Sequence, residues 1–162
     1  MPELLSDEER LNRAAKSVRN FLRDKRELNR LLNGEFETSD EELKQAIMSA
    51  LMDWNTSPPV ISNVTLMNHP AKQLLVQMAA VYAIQGSALW HSREHMPSSD
   101  GGTSADDHAK ASEYATWLDR LTVDYEKKKG DIKVAQNISQ ALGGMGMPSE
   151  YASYYYVFGQ WW

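Results

Sequence analysis

The chain of 162 residues contains no cysteine. That absence excludes a disulfide framework, a thiolate zinc site and a cysteine nucleophile. It also fits synthesis inside the cell better than an oxidising compartment. An excess of positive charge is missing too: 22 acidic side chains against 17 basic ones leave a formal net charge of −5. General nucleic-acid-binding domains are usually strongly basic. The first thirty residues are charged and hold no apolar core of the kind a secretory signal needs. Leu74–Trp90 carries no charge over 17 residues, but it is short for a membrane span and includes Gln77, Gln85, Gly86 and Ser87. It reads as a buried central helix. No G-x-x-x-x-G-K-[ST], G-x-G-x-x-G or G-x-S-x-G occurs, so neither a phosphate cradle nor a nucleophile elbow has a seat. No internal repeat is visible, and the length and the 42% of apolar residues suit one core.

What is present is helical nearly throughout. From Asp7 to Leu32 the residues Leu11, Ala14, Ala15, Val18, Phe21, Leu22, Leu28 and Leu32 fall on one face at about 100° per residue. Ser6 and Glu9 form a capping-box signature before them, and Asn33-Gly34 breaks the chain after them. Ser39 and Glu42 repeat the signature and open a second helix with the stripe Leu43, Ala46, Ile47, Ala50, Leu51 and Trp54. Pro58-Pro59 stops it. Val60–Met67 is extended or irregular, with room for one short strand. A third helix starts at Asn68-His69-Pro70 with proline in its first turn and runs to about Glu94. Pro97–Gly102 is the clearest loop. A fourth helix spans about Asp106 to Leu142, carrying Ala111, Tyr114, Leu118, Leu121, Tyr125, Ile132, Ala135 and Leu142 in near-heptad register, with Gly130 as a candidate bend. The expected fold is therefore all-α: about four helices over 1–142, including a long C-terminal one, followed by a Gly-hinged arm over 143–162. Seven of the last twelve residues are aromatic.

Few constellations point to chemistry. His91-Ser92-Arg93-Glu94-His95 matches H-x-x-E-H, in which two histidines at i and i+4 could share a zinc ion. Only 67 residues follow it, and the bland reading is a polar helix end where histidine complements the dipole. Asp100, Asp106 and Asp107 lack the spacing of a calcium loop. No catalytic residue, metal or cofactor is expected. The basic stripe says more: residues 10–30 hold eight Lys/Arg against Asp24 and Glu27, a local charge of +6. Such a face suits nucleic-acid phosphates or an acidic partner surface, or is simply solvated. The aromatic run Tyr151, Tyr154, Tyr155, Tyr156, Phe158, Trp161 and Trp162 is a hazard if left exposed. It either folds back onto the chain's own core or, as preferred here, lies in a groove of a neighbour.

Taken in order, Ser39–Leu43, Asp53–Pro59, the alanine-rich third helix ending Trp90–His95, Ser99–Gly102 and Ser149-Glu150-Tyr151 resemble the head-to-tail adaptors of tailed bacteriophages. The likeness covers roughly residues 39–151; the first helix and the aromatic end lie outside it. The resemblance implies a structural virion protein of the neck, made in the host cytoplasm. It implies a homo-oligomeric ring, commonly of about twelve copies, docked on the portal and extending the DNA channel towards the tail, with no catalytic residues. On that reading the third and fourth helices form the subunit core. Asp40–Pro59 and the 98–104 loop, with Asp100, Gly101 and Gly102, meet neighbouring subunits, and the aromatic residues from Tyr151 to Trp162 grip the portal or another neck or tail component. Arg19, Arg23, Arg26 and Arg30 supply an electrostatic contact to the portal's acidic surface or to packaged DNA. No membrane is involved. The alternative is a nucleic-acid-associated regulator using the basic first helix.

Overall fold

A computed structural model describes residues 6–29, 34–60, 63–94 and 107–141, with side chains omitted for 90–94 and 107–113. It has four helices and, among the described residues, no strand: α1 (Asp7–Leu22), α2 (Asp40–Thr56), α3 (Lys72–Glu94) and α4 (Asp107–Ala141). The all-α expectation is met. The Gly-hinged arm, like the 98–104 loop, lies outside the described residues.

Both capping boxes form. Ser6 Oγ accepts the Glu9 N–H at 3.2 Å while Glu9 Oε2 accepts the Ser6 N–H at 2.8 Å. Ser39 and Glu42 do the same at 3.2 and 2.9 Å. Each box satisfies donors that a helix start leaves open, and the acidic first turns of both helices complement the dipole.

The first helix is shorter than its apolar spacing suggests. It stops at Leu22, because Arg23 takes a left-handed conformation (φ 56°) and its N–H turns back to the carbonyls of Arg19 and Asn20. Leu28 is thus not part of its stripe and is exposed, and Leu32 lies outside the described residues. The third helix begins two residues past Pro70, which stands before it rather than within its first turn. The segment between α2 and α3 is irregular. Asn55 clamps it by pairing with both backbone groups of Val64, at 2.8 and 2.9 Å.

Packing centres on α3, which touches each of the other three helices. Its first half is largely apolar, with Leu74, Leu75, Met78, Ala79, Ala80, Val81 and Ala83 buried, and the buried Gln77 among them donates to the Leu121 carbonyl and Asp124 of α4. α2 buries Leu43, Ala46, Ile47, Ala50, Leu51 and Trp54, the full stripe read from the sequence. α1 contributes Ala14, Ala15 and Val18, and α4 contributes Tyr125 and Ile132. α4 is continuous through Gly130, and its 35 residues extend about 53 Å at 1.5 Å per residue.

Candidate interaction surface

The end of α1 is organised by one carboxylate. Asp24, with 4% of its side chain exposed, accepts from Arg19 Nη1 at 2.6 Å. The same carboxylate accepts the Asn29 side-chain amide at 2.6 Å and the N–H groups of Glu37 and Thr38 at 3.0 and 3.2 Å. Arg19 is equally committed: its Nη2 reaches the Thr38 carbonyl at 2.8 Å and Asp40 Oδ1 at 2.7 Å. A buried charge is tolerated only when paired and fully hydrogen-bonded, and both conditions hold here. The Phe36 ring lies beneath two guanidinium groups, Arg19 at 3.9 Å and Arg26 at 4.7 Å from its centroid, within cation–π range.

This geometry sorts the four arginines read as one electrostatic stripe. Arg19 faces inward and fastens α1 to the segment entering α2. Arg23, at the left-handed cap, and Arg26, on the loop, are exposed. Arg30 lies outside the described residues, as do Asp100, Gly101, Gly102 and the seven aromatic residues from Tyr151 to Trp162. The exposed bases of this region are Arg13, Lys16, Arg23, Lys25 and Arg26.

A second polar cluster joins α4 to the end of α2. Asp53 Oδ2 accepts from the Tyr125 hydroxyl at 2.8 Å and from Lys129 Nζ at 3.0 Å. Lys129 also meets Ser57 Oγ at 2.9 Å and Glu126 Oε1 at 2.7 Å. One turn on, Lys133 Nζ donates to the carbonyls of Trp54 and Ser57. α2 has no basic residue in its own last turn, so α4 supplies the cation that its C-terminal carbonyls favour. Burial, with Lys129 beside it, holds the Lys133 ammonium below the usual lysine range. Burial and the bond to Asp53 push the Tyr125 hydroxyl well above the usual tyrosine range. The sequence carried a signal for this cluster: Lys129 stands four residues after Tyr125 and three before Ile132, on the apolar side of α4.

His69 sits against Trp54, ring centroids 4.6 Å apart. Its Nδ1 accepts the Ala71 N–H at 3.1 Å, serving the start of α3. Its Nε2 is buried without a hydrogen-bond partner.

These clusters hold helices together. A cleft of about 170 Å³ lies beside Asp24, bounded by Leu22, Ala83, Ile84, Ser87 and Tyr114, well below the roughly 300–1,000 Å³ of small-molecule sites. Among the described residues no group of three or more His, Asp or Glu could hold a metal ion, and no helix is long and apolar enough to cross a membrane. The side chains of His91 and His95 are outside the described set. The chain matches no family model, no curated protein and no solved structure. What the described surface does present is charge on α1 and its following loop, and apolar side chains on the outer side of α4.

Proposed function

We propose that this chain is a structural subunit of a tailed-bacteriophage neck, a head-to-tail adaptor that closes into a ring beneath the portal and lengthens the DNA channel. The observation that carries the reading is α4. Among the described residues it packs on α3 and the end of α2 with one side, while Val123, Val134 and Ile138 on its outer side are 61, 50 and 51% exposed. A helix of about 53 Å with apolar residues on both sides suits a subunit that completes its burial against other protein. The likeness of residues 39–151 to the adaptor family supplies the kind of assembly. In it, the loop with Asp100, Gly101 and Gly102 meets a neighbouring copy. The aromatic residues from Tyr151 to Trp162 grip the portal or the next neck component.

Assembly on a candidate portal is the test. The protein mixed with portal should co-purify as one complex and show a ring of density below the portal in negative stain. A protein that passes the portal by, at any ratio, contradicts the reading.

A further inference from the structure

Charge is segregated along the first half of the chain. Arg13 and Lys16 share the outward face of α1 by helical phase, and Arg23 at its left-handed cap, then Lys25 and Arg26, extend the same sign onto the loop; all five are exposed. Glu35, Glu37, Asp40, Glu41 and Glu42 occupy the approach to α2 and its first turn, and all five are exposed as well. The Asp24 hub stitches these two groups side by side. Asp24 binds the Glu37 N–H, the Asn29 amide reaches the Glu35 carbonyl at 3.1 Å, and Arg26 rests on Phe36. Glu27 in the basic half, and Lys44 paired to Glu41 at 3.8 Å, leave the sign of each half unchanged.

Abutting patches of opposite sign select their partner. A nucleic-acid backbone is anionic along its whole length, so one laid on the bases would run onto five carboxylates. A uniformly acidic protein surface meets the same repulsion. A second copy of this chain carries both signs and can answer both. We propose that the exposed bases of α1 and its loop dock on the exposed acids before and within the first turn of α2 in a neighbouring copy. The proposal rests on the reading of the chain as a self-assembling subunit and names the contact that assembles it.

α1 and α2 pack against each other and against α3, and each keeps its exposed charged residues on the side away from that shared core. The two patches are made of different residues, so each can engage a different neighbour, as a head-to-tail contact requires. Beyond its acids, the outward face of α2 carries Met48 and Met52, 46 and 64% exposed. These adaptable apolar side chains suit the aliphatic stems of lysine and arginine.

Sedimentation velocity on the purified chain tests this. At about 20 mM salt the wild type should associate with rising concentration, and about 0.5 M salt should disperse it. One variant carries Arg13→Glu, Lys16→Glu and Lys25→Glu; the other carries Glu35→Lys, Glu37→Lys and Glu41→Lys. None of these side chains serves the Asp24 hub, and circular dichroism checks that helix content is kept. Each variant alone should associate roughly a hundredfold more weakly, and an equimolar mixture should recover the wild-type behaviour. Should a reversed variant fail to fold, the neutral set Arg13→Gln, Lys16→Gln and Lys25→Gln decides, with a smaller loss expected. A wild type that stays monomeric throughout, variants that associate like the wild type, or a mixture that recovers nothing would each overturn the contact. If such unaffected variants still build a ring on candidate portal, this contact alone falls. A chain that neither self-associates nor builds on portal removes the adaptor reading as well.

Discussion

Asp24 is the side chain on which the end of α1 turns. Its carboxylate closes a left-handed cap, anchors the following loop and neutralises Arg19, which retains only 11% of its side-chain exposure. Asp24→Asn would keep the shape and remove the charge, leaving the guanidinium buried and uncompensated apart from exposed Asp40. The expected loss is about 3 kcal/mol in urea unfolding, with little dependence on salt because the pair is screened from solvent. His69 gives a second prediction. Burial, with Lys72 nearby, pushes its imidazole down to about 3. Below the ordinary histidine value the unfolded chain therefore takes up a proton that the folded chain refuses. Stability should fall as pH drops from about 6.5 towards 3, by about 1 kcal/mol per pH unit from this group. Unfolding at pH 7, 6, 5 and 4 should show His69→Gln losing that part of the slope; a variant as acid-sensitive as the wild type would contradict the assignment.

At the scale of elements, the helices follow local chemistry closely. Ser-x-x-Glu opens α1 and α2, Pro58-Pro59 follows the end of α2, and the stripe from Leu43 to Trp54 is buried as its spacing requires. The end of α1 was not legible, because Leu28 and Leu32 continue the helical period past the point where the chain turns. The turn depends on Asp24 meeting Arg19, Glu37 and Thr38, and contacts 13 or 14 residues apart leave no periodic trace. The buried lysines were missed for a related reason. Lysine on an apolar face looks like a solvated charge until its partners, here the terminal carbonyls of another helix, are in place. Lys133 ties α4 to α2 in this way, so Lys133→Met should cost about 2 kcal/mol by leaving the Trp54 and Ser57 carbonyls without their donor. Thermal melting against wild type measures it, and an unchanged melting temperature would mean that α2 needs no cation from α4.

At the scale of the molecule, α3 is the centre and α4 the element that reaches beyond what the core needs. The uncharged stretch of α3 and the near-heptad register of α4 made that arrangement readable: Tyr125 and Ile132 are buried, and Leu118 and Leu121 pack against the core. The register did not tell which side of α4 would stay bare. The net charge of −5 hides a basic run and an acidic run that the order of residues does show; what the sequence leaves out is that the Asp24 hub holds the two runs together. A long helix with apolar residues on its outer side and a bipolar surface support the proposal of a part built for assembly, and the adaptor reading is the assembly that the order of residues 39–151 resembles. Light scattering on the purified chain, alone and with candidate portal, tests that claim most directly. The account predicts that the 18.4 kDa chain adds to the portal as a defined multiple of its mass, consistent with a closed ring. A chain whose mass is unchanged by portal, but which shifts on adding duplex DNA, would contradict it.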